Sequence, residues 1–496
     1  MLQPMPSDFI AKLDALAANR RETIRRSVTD IVVTGDSYYV SADGCDSADG
    51  RTPETAWASL ARVNAGVFKP GDAVFFRRGD TFRGVLNAPA GITFSAYGEG
   101  DKPQLWASPF DGAKVGKWIP TDVPDIYVYS ERFLGDVGCL IFNHGEAYAI
   151  KASVFFRRHI NRTDNRPFES WRDLVDDLAF YHDLGGEFTE CTEEYGQLYL
   201  KCVGGNPAER FNSIEFNVNE HGITIYGDNV RINNLRIQYC GCHGIAANTK
   251  NGLHVDWCEF EWIGGSTQYY VEGGSQIGKP VRFGNAVEIY GACKDYTIEN
   301  CYVNQVYDAG LTHQFSHGGD DAVLMDDVTY KGNLIENCVY SIEYFNGIAD
   351  NDSPRTMRHV RIQDNIMLNA GYGFGSQRPD KTPDAHIKSW DSLNFGTDMV
   401  YENNIMFRSK HMMVHIATAD VKYMPVVRHT IFVQDEDGKF GRIGEFIDAR
   451  CARLQDNGEK LAKFGEVQSK MFLFTEDGIA SQSFIGDDNL FYVIGK

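Results

Sequence analysis

The chain has 496 residues, 43% apolar and 23% charged, with a formal net charge of −20. That length can bury a large core. The acidic balance excludes nucleic acid and anionic membrane as expected partners, since both are held by Lys and Arg patches that displace counterions. It also weighs against a strongly polyanionic substrate, although a local basic pocket can override the global field.

Residues 1–30 read as an amphipathic helix, with Phe9, Ile10, Leu13 and Leu16 at helical spacing and Arg20, Arg21, Arg25 and Arg26 in its second half. The stretch lacks the apolar run and small-residue cleavage site of a signal peptide, and no later run is long enough to span a membrane. Eleven cysteines in no regular framework read as free thiols of a reducing compartment, so a cytoplasmic location is expected.

From Ser37 the pattern changes. Tyr38-Tyr39-Val40-Ser41 is a strand, and residues 54–64 form a short helix with Trp57, Leu60 and Val63 on one face. Lys69-Pro70-Gly71-Asp72 then turns into the buried strand Ala73-Val74-Phe75-Phe76, and Gly79 to Gly84 and Ile92 to Gly98 complete the opening. This segment resembles the start of pectate-lyase-like β-helix proteins of carbohydrate metabolism. The resemblance implies an all-β, right-handed parallel β-helix solenoid, and it concerns architecture more than activity.

The expected organisation is an N-terminal helix over 1–36, opening coils over 37–109, an inserted subdomain or elaborated coils over 110–215, core coils over 216–419, and a C-terminal cap over 420–496. Helical stretches are expected around 152–158 and 168–178 in the insertion, and over 443–454 in the cap. A cap covers the edge that a parallel stack leaves open.

An internal repeat carries the fold assignment. His221-Gly-Ile-Thr-Ile aligns with His243-Gly-Ile-Ala-Ala, Asn285-Ala-Val-Glu-Ile, Ala309-Gly-Leu-Thr-His, Tyr340-Ser-Ile-Glu-Tyr and Tyr372-Gly-Phe-Gly-Ser. One column is small (Gly222, Gly244, Ala286, Gly310, Ser341, Gly373) and the next is apolar (Ile223, Ile245, Val287, Leu311, Ile342, Phe374). A second strand precedes each, ending near an asparagine at Asn300, Asn333, Asn365 and Asn404. Asparagine tolerates a left-handed corner and can ladder its amide to the next coil.

Strand alternation turns these columns into directions. With the apolar column inward, Thr224, Ala246, Glu288, Thr312, Glu343 and Gly375 share one solvent-facing column. Successive coils stack at roughly 4.8 Å, so Glu288 and Glu343 lie about 10 Å apart at the backbone, near the carboxyl spacing of an inverting glycosidase. Asp308 enters the Thr312 strand. Asp320, in the loop after it, can swing over Glu343 to make the closer pair of a retaining enzyme.

Glu343 stands between Ile342 and Tyr344-Phe345, a setting that raises a carboxyl pKa toward that of a general acid, whereas Glu288 alone reads more readily as a solvated surface carboxylate. Arg378, Asp380 and His386 offer polar contacts to sugar hydroxyls, and Trp390 offers a stacking face. Thr312, Gln314 and Tyr344 complete the candidate substrate surface. His313 joins them in sequence but falls by parity on the inward side. Gly264-Gly265 and Gly273-Gly274 flank Tyr269-Tyr270 in a loop able to wall a cleft.

The expected function is a glycoside hydrolase of neutral or weakly charged oligosaccharides, catalysed by Glu343, Asp308, Asp320 and Glu288, with no metal or other cofactor. This rests partly on similarity to the β-helical glycosidases, which also carry an acid pair on stacked strands. The alternative is a polysaccharide lyase or uronate epimerase, with Ca²⁺ on Asp320, Asp321, Asp326 and Asp327 and a base among Arg378, Lys381 and His386. A non-catalytic carbohydrate-binding β-helix is the third reading.

Overall fold

The structure, a computed structural model, describes residues 4–155, 167–184, 196–315, 323–346, 356–378, 384–389, 396–418, 425–435, 438–445, 462–463 and 488–494. Its main body is a right-handed parallel β-helix with three stacks of strands. Each coil places its apolar side chains inside because alternate residues of a strand face opposite ways.

One stack runs through Leu86–Ala88, Ile223–Ile225, Ile245–Asn251, Val287–Glu299, Tyr302–Phe315, Leu334–Asn346, Ala385–Ser389 and Met412–Thr418. Ile223, Ile245, Val287, Leu311, Ile342, Ile387 and Val414 fill the interior along it, all buried. The residues just before them are small for a steric reason. A Cβ added at Gly244 would stand 2.6 Å from the Ala286 carbonyl oxygen, and one at Gly310 would stand 2.8 Å from that of Ser341.

The repeat departs from the expected alignment at its sixth member. Phe374–Gln377 is a 3₁₀ turn, and the strand that continues the stack is Ala385–Ser389, with Ile387 opposite Ile342. Gly373, at φ 82°, supports a turn as readily as it mimics the small column.

The asparagine corner divides into two adjacent positions. Asn300, Gly332, Asp364 and Asn403 take left-handed backbone, with φ between 51° and 68°. The residue after each of the last three forms the ladder: Asn333 Nδ2 donates to Asn365 Oδ1 at 3.0 Å, and Asn365 Nδ2 to Asn404 Oδ1 at 3.0 Å. Asn300 therefore turns the chain, and Asn333, Asn365 and Asn404 stitch the coils.

The N-terminal helix spans Phe9–Arg26 and lies along the outside of the stack. Leu13, Ala17 and Ile24 pack against Tyr302, Leu334, Ile366 and Leu368, while Leu16 is 41% exposed. Arg21 meets Glu336 at 2.5 Å and Arg25 meets Glu259 at 3.1 Å, so the basic half of the helix is tied to coil carboxylates.

The insertion is built of strands. One small sheet combines Trp118–Pro120, Ile126–Tyr129, Ile150–Lys151, Ala179–Asp183 and Gln197–Lys201; another combines Val137–Phe142, Ala147–Tyr148 and Ile214–Val218. The expected helices are absent from its described part: residues 152–155 are irregular, and 168–178 holds only the 3₁₀ turn Trp171–Asp173. Phe168 and Leu174 instead bury themselves against Ile126 and Tyr181. In the cap, 443–445 belong to the strand Lys439–Glu445 in place of a helix, and 446–454 lie outside the described residues. No helix among the described residues is long and apolar enough to cross a membrane.

Candidate active site

The ladder places Glu288 opposite Thr312, Thr312 opposite Glu343, Glu343 opposite Lys388, and Lys388 opposite His415. The expected column is therefore real as far as Glu343, and its next member is Lys388 in place of Gly375. The expected solvent exposure is not found: Glu288, Thr312, Glu343 and Lys388 are 7%, 0%, 2% and 5% exposed. The turn Phe374–Gln377 packs near Tyr307 and Val339 and is tied to the insertion by Lys151 N donating to Gln377 Oε1 at 2.9 Å.

Three carboxyl groups share this covered surface, and their surroundings differ. Asp308 forms a buried ion pair with Arg378. Glu343 Oε1 lies 3.3 Å from Lys388 Nζ, which also stands 4.1 Å from the centroid of the Tyr340 ring. Burial opposes the Lys388 charge, but Tyr340, Glu343 and Asp308 around it raise its pKa above the ordinary value. Burial likewise pushes the Tyr340 hydroxyl up to about 12.

Among the described residues Glu288 pairs with no Lys or Arg. Its Oε2 accepts from Asn285 Nδ2 and, at 3.1 Å, from Gln314 Nε2. His243 Nδ1 lies 3.3 Å from the same oxygen, but this nitrogen already accepts the Asn285 N–H at 3.1 Å and so carries no hydrogen to donate. Burial holds that imidazole neutral, with its pKa lowered to about 4. Burial is also the main cause that pushes the Glu288 carboxyl up to about 7; Asp308 nearby adds to the rise and the two amide donors oppose it. Because both amides donate to Oε2, the proton of the acid form sits on Oε1.

Gln314 thus belongs to the site through Glu288. Thr312 sits between the two glutamates, its Oγ1 buried and without a hydrogen-bond partner among the described residues. His313 and Tyr344 face the interior, as parity requires: their rings stack at 5.7 Å, and His313 Nδ1 lies 2.9 Å from the Tyr330 hydroxyl. Burial lowers the His313 pKa to about 3, and neither ring can reach a substrate outside the coil.

His386 is on a strand, not in a loop. Its Nε2 donates to the Arg408 carbonyl at 3.1 Å and its Nδ1 accepts from Ser341 Oγ at 2.9 Å, so both ring nitrogens are committed inside the wall. Asp320, Asp380 and Trp390 lie outside the described residues, as do Asp321 and Lys381. Sequence reading missed Lys388, Tyr340, Asn285 and His243. The signal for Lys388 was present, since Ala385-His-Ile-Lys-Ser repeats the pattern of Tyr340-Ser-Ile-Glu-Tyr.

Asp326, Asp327 and His359 bring potential metal-ligand atoms within 4.8 Å of one another. They stand on a different stack, where Asp326 is in register with Lys294 and Arg358. Arg358 donates to Asp326 Oδ2 at 2.7 Å and His359 Nδ1 lies 2.8 Å from Oδ1, so that Arg358, chiefly, lowers the Asp326 pKa to about 2. A guanidinium and an imidazole on the buried carboxylate do not fit the all-oxygen shell that Ca²⁺ takes. Asp326 and Asp327 are also remote in register from the Glu288 column.

No family model and no curated protein matches the sequence. Solved structures with a similar chain path include the complex of XylC with xylose, at 12% identity and a TM-score of 0.47, covering 82% of this chain and 69% of that one. A GH136 lacto-N-biosidase from Eubacterium ramulus has 13% identity and a TM-score of 0.38, over 88% of this chain and 68% of its own. An alginate lyase from a Paenibacillus species has 11% identity and a TM-score of 0.38, over 82% and 91%. These are similarities of fold at low identity, and the site is read from this chain alone. The architecture, a right-handed parallel β-helix, follows from this chain's own parallel strand stacks.

Proposed function

We propose that the chain is a glycoside hydrolase in which Glu288 is the general acid and Asp308 the second carboxylate, acting on an oligosaccharide. The observation that supports this is the contrast between two neighbouring acids: Glu288 has no cation partner among the described residues and is pushed up to about 7, while Asp308 is ion-paired with Arg378. Glycosidic cleavage needs that division, one carboxyl protonated to protect the leaving oxygen from departing as an alkoxide and one ionised to act as nucleophile or base.

Thr312 Oγ1 and the Lys388–Tyr340 pair supply polar groups for sugar hydroxyls beyond the acids. Glu343, neutralised by Lys388, positions that cation. The test is turnover of a panel of nitrophenyl glycosides and reduced oligosaccharides. Glu288→Gln and Asp308→Asn each should lower hydrolysis by about 10²- to 10⁴-fold with circular dichroism unchanged. Hydrolysis at the parent rate by Glu288→Gln would sink the assignment.

A lyase is the second reading, and the specific observation behind it is the Tyr340 hydroxyl, which has the Lys388 cation at its ring and feels the Arg378 charge. It predicts unsaturated products absorbing in the near ultraviolet from uronate polymers. Hydrolysis yields none.

A further inference from the structure

The asparagine ladder gives way to cysteine toward the first coils. Cys301 N donates to Asn333 Oδ1 at 2.9 Å, so Cys301 is the next rung. Cys258 is the rung after it, because Glu259 is in register with Tyr302 and Tyr302 N donates to the Cys258 carbonyl at 2.9 Å. Both are free thiols, 0% exposed and packed in the coil interior. Among the described coil strands no other two cysteines are register partners: Cys240 is opposite Ile263, Cys293 opposite Met325 and Cys338 opposite Val306.

Rungs of a parallel stack stand about 4.8 Å apart, within the Cα separation of about 4.4–6.8 Å that a disulfide spans. Cys301 already leans toward its neighbour. Its Sγ donates to the Val255 carbonyl, on the Cys258 coil, at 3.7 Å and to the Glu299 carbonyl at 3.4 Å. Burial raises the Cys301 pKa well above the ordinary value, and the Cys258 thiol beside it adds to the rise. Cys258 Sγ donates to the Asp256 carbonyl at 3.4 Å and the Ile232 carbonyl at 3.5 Å, and a χ1 step between staggered wells re-aims it at Cys301.

A cation stands at the same corner. Lys102 is 2% exposed, and its Nζ donates to Ser27 Oγ at 2.7 Å and to Asn234 Oδ1 at 2.6 Å. Burial lowers its pKa to about 8, and Cys258, Glu259 and Cys301 oppose that fall, so its charge reaches both sulfurs. A neighbouring ammonium favours the thiolate, the form that attacks a disulfide. Because both sulfurs are buried, a reagent meets them only when the corner opens locally, which makes the reaction slow.

We propose that Cys258 and Cys301 form a modification site, a thiol pair that closes to a disulfide across two neighbouring coils on exposure to an oxidised low-molecular-weight disulfide. One thiolate attacks a sulfur of the reagent R–S–S–R, forming a mixed disulfide and releasing RS⁻. The second thiolate attacks the protein sulfur of that mixed disulfide and releases another RS⁻. The two thiol protons end on the two RSH, and two electrons pass from the cysteine pair to the reagent.

The bond closes a ring over residues 258–301. That segment holds the paired strands Thr267–Tyr270 and Pro280–Arg282, a hairpin where the sequence suggested a loop, and then Asn285 and Glu288. The disulfide therefore staples both ends of the stretch that carries the proposed acid, and it restricts the unfolded chain by a long loop. Nothing in the pair depends on the hydrolase reading.

The folded full chain is incubated with glutathione disulfide, alkylated, digested and mapped by mass spectrometry, and the same sample is unfolded in urea. The expected product is a pair of peptides linked through Cys258 and Cys301, two hydrogens lighter than the separate peptides. Exposed Cys45 should carry glutathione in that sample, which shows that the reagent was active. The oxidised chain should unfold at higher urea than the reduced one, and the gain should be absent from Cys258→Ala and Cys301→Ala. Recovery of Cys258 and Cys301 as thiols in a chain modified at Cys45, bonds scattered among other cysteines, or a linked chain that unfolds at lower urea would each overturn the site. The peptide map of the parent decides the question even where a substituted chain fails to fold.

Discussion

Glu288 and Glu343 occupy the same outward column two rungs apart, yet they are different chemical objects. Glu343 has Lys388 at 3.3 Å. Glu288 has two amides and a neutral imidazole, and its carboxyl is pushed up to about 7. The backbone treats the two positions alike; the next coil decides which one carries a charge. In a parallel stack each rung borrows its electrostatics from the rung above, so acid and ion-paired carboxylate can be set side by side on one regular scaffold.

Turnover gives the largest expected separation. Glu288→Gln and Asp308→Asn should each lose about 10²- to 10⁴-fold, while Glu343→Gln, which leaves the reacting pair in place, should lose about tenfold or less. Steady-state kinetics on one substrate decides this, and a Glu343→Gln loss as deep as that of Glu288→Gln would move the acid role down the column.

Stability separates the same groups. Arg378→Met strands a buried Asp308 charge and should cost about 3–5 kcal/mol in urea denaturation, whereas Arg378→Met with Asp308→Leu should recover most of it. A single variant within about 1 kcal/mol of the parent would mean that the pair is solvated and the contrast with Glu288 is weaker than drawn.

The coil scaffold was legible because its signals are local and repeated: a Cβ at Gly244 or Gly310 meets the next coil's carbonyl, and that clash writes a small column into the text. Where glycine has a second use the text misleads, as at Gly373, whose left-handed turn imitates the column and hid Ala385–Ser389. The acids were legible as positions and not as states. Glu343 sits among aromatic residues in sequence, but Tyr344 points inward and Lys388 arrives from a later coil. His386 reads as a catalytic type and is consumed by Ser341 and Arg408. A side chain's protonation depends on groups that the fold collects from distant segments, and no spacing rule records them.

The raised Glu288 pKa also sets a pH dependence of stability. In the folded chain this group keeps its proton up to about pH 7, while in the unfolded chain it releases it near the ordinary value of 4.5. The folded state therefore binds more protons between those limits, and the group's contribution to stability falls as pH rises through that window, by about 3 kcal/mol, and is level above it. Glu288→Gln removes the slope. Denaturation at several values from pH 4.5 to 7.5 checks this, and parallel curves for the two proteins would show that Glu288 titrates normally.

The finest test lies in one hydrogen bond. Gln314 Nε2 donates to Glu288 Oε2 at 3.1 Å and is among the few groups that favour the ionised form. Asn285 does so too, but its Oδ1 also accepts the Ala309 N–H at 2.8 Å, so altering it disturbs the coil. Gln314→Leu removes the donor alone. A general acid works only while protonated, so the alkaline limb of kcat/KM should stand near pH 7 in the parent and move upward by up to about one unit in the variant, a change of about 1.4 kcal/mol. The direction carries the information: a limb governed by Asp308 or Glu343 would not respond to Gln314, and a downward shift would mean that the group being titrated must be ionised to work.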